Sequence, residues 1–261
     1  MKKVLIIGAN SYIGNSFENY INNKQIRKED SKKNKFVIDK VSALNGEWKR
    51  TDFTGYDTVL HLAGIVHQKE KKEREKEYFR VNKDLTIQVA TKAKNAKVKQ
   101  FIFMSTASVF GSSVTVINKG TQPRPDTFYG KSKLAAEQEI LKLQDEDFCV
   151  AIVRPPIVYG FNCKGNFPKL MKIAKITPIF PDIQNSKSMI YIENLCKFLE
   201  LLIERKGRGY YHPQNVDHVS TSNMVKLISE CLGHNIYYTK TFNGIILLLG
   251  KKISYIKKIF G

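Results

Sequence analysis

Short apolar runs alternate along this chain with longer stretches of helical spacing. Residues 3–7 are apolar and stop at Gly8, and a helical pattern runs from Tyr12 to residue 21. A second run covers Phe36–Val41, and a third, residues 58–63 (TVLHLA), leads into a charged helical stretch at 71–93. Residues 100–105 form a fourth run, and residues 129–143 a helix with small and apolar residues on one face. Residues 150–154 form a fifth run, closed by Pro155 and Pro156. Strands alternating with helices predict βαβ units and an α/β fold with a parallel sheet. After residue 155 the pattern loosens: Pro178 and Pro181 are followed by helical stretches at 192–205 and 222–232. This reads as a smaller C-terminal lobe built on the main sheet, with domains at 1–160 and 161–261.

Composition narrows the class. A hydrophobic share of 42% with 11% aromatics excludes a disordered or fibrous chain. The formal charge is 43 − 24 = +19, carried by 35 lysines and only 8 arginines spread over the whole length. Nucleic-acid readers tend to cluster arginine with aromatics on one element. Here the densest runs, 69–76 and 251–258, are mixed with acids or apolar residues, so no nucleic-acid partner is expected. The lysines read as a solvated surface that can also attract an anionic small substrate. Cys149, Cys163, Cys196 and Cys231 show no paired spacing, so neither a disulfide framework nor a metal site is signalled. No apolar run approaches the roughly 18 residues of a membrane span, and the N-terminal run is too short for a signal peptide. A cytoplasmic setting without an integral membrane segment is the expectation.

Candidate chemistry begins at Gly8-Ala-Asn-Ser-Tyr-Ile-Gly14, directly after a strand and opening a helix. Glycines there let backbone N–H groups approach a pyrophosphate seated on the positive end of the helix. Gly8, Asn10, Ser11, Tyr12, Ile13 and Gly14 are therefore candidate cofactor contacts. A GxxGxxG pattern would place glycine where Ser11 stands. Its Cβ should crowd a phosphate slightly, while its hydroxyl can donate a hydrogen bond in return. At the end of the second strand a dinucleotide site usually offers an acid to the ribose. That position falls on Ser42, with Asp39 inside the run. A missing acid removes repulsion against a 2′-phosphate, and Lys40 can help hold one, so NAD and NADP both stay open.

Tyr129 and Lys133 form a YxxxK pair, one helical turn apart and on one face. An ammonium beside a phenol lowers its pKa from about 10 toward neutrality, as general acid/base work requires. The pair alone carries little weight, because Tyr20 and Lys24 fit the same spacing; those two read as surface or core packing. What separates Tyr129 is its company. A strand ends upstream at Met104-Ser105-Thr106, and hydroxyls at the tip of a parallel strand lie at the ligand edge of such a sheet. The rigid Pro123-Arg124-Pro125 loop can turn the chain back toward that edge. His67 opens the charged helix without a nameable partner, and Trp48 reads as packing under the loop to Asp52.

In order along the chain, these motifs resemble the extended short-chain dehydrogenase/reductase family, in its nucleotide-sugar epimerase/dehydratase branch. The matching pieces are the glycine turn, Asp57-x-Val-x-His-Leu-Ala63, Asn82, Ser105-Thr106, Tyr129 with Lys133, and Arg154-Pro-Pro-Ile-Val-Tyr-Gly160. The resemblance implies a Rossmann-like doubly wound parallel sheet with a smaller C-terminal substrate-binding lobe, and NAD or NADP as cofactor, NAD being the first choice. It implies that Thr106 hydrogen-bonds the reacting sugar hydroxyl with Ser105 beside it, that Tyr129 moves the proton, and that Lys133 holds the nicotinamide ribose. Leu62, Ala63 and Gly64 would lie against the cofactor, Pro155 would border the nicotinamide, and His61 would be a buried structural imidazole. In the lobe, Lys187 matches the position of a phosphate-binding arginine, and Asn162 is a further substrate contact; a plain strand–helix boundary also explains residues 191–195.

The family's dehydratases carry an acid pair after the active-site threonine, because elimination of water needs a second acid/base. Here Ala107 and Ser108 follow Thr106, which disfavours a dehydratase. What remains is hydride chemistry at one carbon of a UDP-sugar: a 4-epimerase working through a 4-keto intermediate, or alternatively a 4-keto reductase. A cofactor-binding regulator without turnover is the reading from a different class, and the intact Tyr129/Lys133 pair argues against it. The chain is shorter than the family's usual length, and both a complete and a truncated lobe stay open. The apolar-basic stretch 242–260 suits a lobe-closing helix, a homodimer contact or a membrane-surface helix, in that order.

Overall fold

A six-stranded parallel sheet organises the larger part of the chain in the computed structural model, which describes residues 1–26, 36–66, 72–165, 167–241 and 243–244. In chain order the elements are β1 (Lys2–Ile7), α1 (Tyr12–Ile26), β2 (Phe36–Val41), α2 (Glu47–Arg50), β3 (Thr58–His61), α3 (Glu75–Phe79), α4 (Leu85–Asn95), β4 (Gln100–Met104), α5 (Phe128–Leu141) and β5 (Cys149–Val153). They continue with β6 (Ile157–Tyr159), α6 (Phe167–Ile176), β7 (Ile179–Pro181), β8 (Met189–Tyr191), α7 (Ile192–Glu204), β9 (Gly209–Tyr211), α8 (Thr221–Cys231) and β10 (Tyr237–Thr239). The chain divides into two compact units, one of residues 1–156 with 192–213 and one of residues 157–191 with 214–261.

In the first unit the strand order is β2-β1-β3-β4-β5-β9, every neighbour parallel. Leu5, Ile7, Val59, Phe101, Phe103, Val150 and Ile152 face Val89, Ala90 and Ala93 of α4 and Ala136 and Ile140 of α5. The alternate residues Val4, Ile6, Leu60, Ile102, Ala151 and Val153 are equally buried. Both faces are covered, which is why the strands read as continuous apolar runs. The order turns back at β1, between β2 and β3, and a ligand crevice belongs at the carboxyl ends there.

Several boundaries differ from expectation. Helix α1 runs five residues past residue 21, and its extension serves a contact. Lys24 Nζ lies 2.9 Å from Glu200 Oε1 of α7, and the Tyr20 hydroxyl donates to Glu200 Oε2 at 3.2 Å. Burial and the Glu200 charge push Tyr20 up to about 12, so this second YxxxK pair is packing. The charged stretch expected as one helix breaks into a 3-10 turn (Lys72–Arg74), α3, a π-helical segment (Arg80–Asp84) and α4. Trp48 is buried in the sheet's core cluster on α2, a single turn too short to show a period. The edge strand β9 spans three residues and gave no strand signal. His67 and the 242–260 stretch fall on residues outside those described, 243–244 excepted.

In the second unit, β6 pairs with β8 and β7 with β10, both parallel. Leu170 and Ala174 of α6 pack with Met224 and Val225 of α8 around Phe180 and Met189. Asn215 fastens this unit's β8: its N–H donates to the Met189 carbonyl (2.8 Å), and its Nδ2 donates to the Tyr159 hydroxyl (3.0 Å).

A buried amide locks the first unit at the start of β4. Gln100 Oε1 accepts from Thr58 Oγ1 (3.0 Å), while its Nε2 donates to the carbonyls of Leu202 (3.1 Å) and Gly207 (2.9 Å). Gln100→Leu keeps the volume and strands all three partners. Each buried unsatisfied group costs about 1–3 kcal/mol, so urea unfolding is expected to show a loss of about 2–4 kcal/mol.

Candidate active site

The turn after β1 is held by backbone. The N–H groups of Gly8 and Ala9 donate to the Val41 carbonyl at 2.9 and 3.2 Å, joining the glycine turn to the tip of β2. Gly8 sits at φ +116, and a Cβ there would stand 3.1 Å from Ala63 N and 3.3 Å from the Leu62 carbonyl carbon. Gly14 is equally confined: a Cβ would lie 2.5 Å from Ser11 Oγ and 3.2 Å from Leu62 Cδ1. The structure explains the departure at Ser11. Its Oγ accepts from the Gly14 N–H (3.1 Å), which makes it the N-cap of α1, while the hydroxyl proton stays available for donation. Asn10, Tyr12 and Ile13 occupy the same turn and first helical positions.

The tip of β2 departs from expectation. Lys40 does not offer its charge to a ligand there: its Nζ bonds to Asn15 Oδ1 (3.0 Å) and pairs with Glu18 (2.6 Å) on α1. The Ser42 hydroxyl accepts from the Leu44 N–H (3.1 Å), and the Ser42 N–H donates to Glu47 Oε2 (3.2 Å).

Beyond β3, Leu62, Ala63 and Gly64 lead into a segment clamped by Asn82. Its Oδ1 accepts from the Ile65 N–H (2.8 Å), and its Nδ2 donates to the Ile65 carbonyl (3.3 Å) and to Ser132 Oγ (3.1 Å). A Cβ on Gly64 would lie 2.8 Å from that amide oxygen and 3.2 Å from Lys133 Nζ. His61 is wholly buried between Phe101 and Phe103. Thr86 Oγ1 donates to the Asn82 carbonyl (2.8 Å), so His61 Nε2 donates to Thr86 (3.0 Å) and Nδ1 is unprotonated. Burial, aided by Lys133, holds this imidazole down to about 3. It is neutral and structural.

Helix α5 delivers the remaining groups. Tyr129, Lys133 and Glu137 stand four residues apart on one face, and a Cβ on Gly130 would meet the Ser108 carbonyl at 2.6 Å, so the helix starts hard against the turn after β4. In that turn Thr106 caps Ala107–Phe110, accepting from the Ser108 N–H (3.1 Å). Burial pushes the Tyr129 phenol up to about 12, opposed by a hydrogen bond from the Thr106 side chain. Lys133 is buried, donates from Nζ to the Met104 carbonyl (2.9 Å) and lies over the Phe103 ring. Burial brings its ammonium down to about 7, against the pull of Glu137. In this geometry the Lys133 amine is held on a backbone carbonyl, and burial is the largest influence on the phenol.

Glu137 escaped the sequence reading, and Arg154 entered it only within a matched motif, without a role. Arg154 grips Glu137 with both Nε (3.1 Å) and Nη2 (2.6 Å), and both side chains are buried. The guanidinium lies over the Phe110 ring (5.1 Å) and the Tyr210 ring (4.2 Å). Ser105 donates to the same Glu137 carboxylate. Its hydroxyl is thus committed inside the protein rather than offered beside Thr106. Pro155, also buried, accepts from the Ala107 N–H (3.0 Å) and so binds the β5 tip to the β4 turn. The only available signal for Glu137 was its spacing, a third step of four after Tyr129 and Lys133.

In the second unit, Asn162 is exposed at φ +57 within the turn closed by the Cys163 N–H on Gly160 (3.2 Å). Lys187 pairs with Val219 in an antiparallel bridge, and burial lowers its ammonium below the usual lysine range. Among the described residues no group of three or more His, Cys, Asp or Glu side chains could hold a metal ion.

Residues 4–213 match the NAD dependent epimerase/dehydratase family. A UDP-glucose 4-epimerase from Vibrio cholerae is 29% identical, over 96% of this chain and 76% of that one. An N-acetyl-alpha-D-glucosaminyl-diphospho-ditrans,octacis-undecaprenol 4-epimerase from Escherichia coli O157:H7 is 27% identical, over 87% and 70%. The crystal structure of a dTDP-4-dehydrorhamnose reductase from Clostridium acetobutylicum superposes with a TM-score of 0.74 at 18% identity, covering 91% of this chain and 82% of that one.

The Lys133 environment has a consequence for stability in cofactor-free protein. Between pH 7 and the unfolded value near 10.5, the unfolded chain holds a proton that the folded chain has released. Folding stability from this group therefore rises with pH through that window, by up to about 1.4 kcal/mol per unit. Lys133→Met lacks the titration. Urea unfolding at pH 7, 8 and 9 is expected to show the wild type gaining on the variant at each step; a constant difference would contradict the buried amine.

Proposed function

Because the chain belongs to the NAD dependent epimerase/dehydratase family, we propose that it is a nucleotide-sugar 4-epimerase acting on a UDP-hexose through a transient 4-keto sugar. It is an NAD(P)-dependent enzyme of the short-chain dehydrogenase/reductase type. The observation that carries the reaction is the meeting of Thr106, Tyr129 and Lys133 at the tip of β4 and the start of α5. The Vibrio cholerae and Escherichia coli relatives, both 4-epimerases by name, support epimerisation over the single reduction that the same three residues would also serve.

The cradle fits a dinucleotide, since side chains at Gly8 and Gly14 would fill the space against Ala63 and Leu62. Gly8, Asn10, Ser11, Tyr12, Ile13 and Gly14 hold the pyrophosphate end in this proposal, with Ser42 at the adenosine ribose, Leu62, Ala63 and Gly64 along the cofactor and Pro155 near the nicotinamide. NAD(P) supplies a hydride acceptor and donor for the sugar carbon. The chain's own part is proton handling. Tyr129, held as an acid by burial, has Thr106 within hydrogen-bonding reach, so a sugar hydroxyl placed there meets both a donor and an acceptor. Lys133 titrates near neutrality and can supply positive charge one helical turn from the phenol. The second unit, by its Lys187 and Asn162, is proposed to hold the nucleotide diphosphate as the substrate-binding lobe. The cytoplasmic setting and the homodimer contact belong to the same proposal; among the described residues no helix is long and apolar enough to cross a membrane.

Mass spectrometry of the purified protein tests the reading directly. Co-purifying NAD together with interconversion of UDP-glucose and UDP-galactose supports the epimerase. An empty protein that oxidises NADPH on a UDP-4-keto sugar would make it a reductase, and one inert to both a regulator. Gly14→Val is expected to abolish cofactor binding in calorimetry, because its side chain has nowhere to go. Tyr129→Phe removes only the proton carrier, so turnover is expected to fall by roughly 10²–10⁴ with cofactor still bound. Tyr20→Phe is the control and should leave turnover unchanged; near wild-type turnover in Tyr129→Phe would move the chemistry elsewhere.

A further inference from the structure

We propose that Glu47 makes this site selective for NAD over NADP, by holding a carboxylate where a 2′-phosphate would have to sit. The inference rests on the dinucleotide reading above and concerns only the adenosine ribose. In a parallel sheet of this order, the ribose of a nucleotide seated on the first turn lies beside the end of the second strand. The Val41 carbonyl joins those two places here, through the Gly8 and Ala9 N–H groups. The residue past the strand is Ser42, which carries no acid. An anion arriving there would look for a free N–H and a nearby cation.

Both are already taken. The Ser42 N–H donates to Glu47 Oε2 at 3.2 Å, and the Ser42 hydroxyl accepts from Leu44. Lys40, the nearest cation on β2, is paired with Glu18 and bonded to Asn15. The carboxylate missing from the strand end is thus returned by the next element. Gly46, at φ +68, reverses the chain before α2, and Trp48 anchors the turn in the core, so Glu47 is carried back to the β2 tip. Lys49 lies over the Trp48 ring. Glu47 Oε1 keeps lone pairs that a ribose hydroxyl can use as acceptor, whereas a phosphate offers only negative charge.

Two like charges about 5 Å apart near a protein surface repel enough to change affinity by ~10-fold or more. Isothermal titration calorimetry on cofactor-free protein with NAD and with NADP tests this. The wild type is expected to bind NAD at least ~10-fold more tightly than NADP, and Glu47→Gln to shrink that ratio by ~10-fold. Glu47→Lys should take the preference past unity toward NADP. Rising salt should narrow the wild-type ratio and leave that of Glu47→Gln nearly flat, a response that a purely steric residue would not give. Equal affinities in the wild type, or a ratio unmoved by either substitution while both cofactors bind, would overturn the inference and leave the dinucleotide site standing. Failure of the wild type to bind either cofactor would overturn the dinucleotide reading and this inference with it.

Discussion

The buried Glu137–Arg154 pair is the constraint around which the reactive edge of the first unit is arranged. Two ions out of water cost several kcal/mol each unless their partners are complete. Here completion comes from four places: a bidentate grip from the end of β5, the Ser105 hydroxyl at the end of β4, and aromatic faces from Phe110 in the turn after β4 and from Tyr210 of β9. The acid itself belongs to α5. Any shift of that helix along the sheet would open the pair and leave a charge uncompensated. Tyr129 and Lys133 ride on the same helical face, so their positions are inherited from an interaction in which neither is a hydrogen-bond partner.

That inheritance lets an unfavourable arrangement persist. Burial opposes the charge that a lysine ordinarily carries and brings Lys133 down to about 7, while the Tyr129 phenol, pushed up to about 12, keeps its ordinary neutral form. The Asn82 clamp on Ile65 and Ser132, the Thr106 cap and the close approach at Gly130 hold the backbone around both groups. Rigid surroundings around soft titrations suit a site that must pass a proton both ways.

The inner strands β1, β3, β4 and β5 were legible because they are largely buried on both faces and so appear as apolar runs, while the edge strand β2 keeps enough apolar residues around its exposed Asp39 to be read as well. The Tyr129/Lys133 pair and the glycine turn were legible because spacing within one element brings their parts together. Residues whose partners lie on other elements were not. Glu137 and Arg154 are 17 residues apart, and Asn82 and Ser132 are 50 apart, with nothing local to link them. Lys40 looked free because Glu18 sits on the preceding helix, and Ser105 looked available because Glu137 is remote in sequence. Very short elements, α2 and β9, carry too few residues for a period. Only Trp48 betrayed the first of them.

The three residues of β9 have an outcome for the way the molecule is made. The sheet's last strand is supplied from beyond α7, so a chain leaving the ribosome has finished β5 long before β9 exists. In the meantime β5 is an outer strand, and the backbone groups of Ala151, Ile152 and Val153 on that side have no pairing partner. An apolar edge left open during synthesis is where two nascent chains can zip together. The open edge is short, since β5 has five residues, and the Pro155-Pro156 step after Arg154 ends it before it can lengthen.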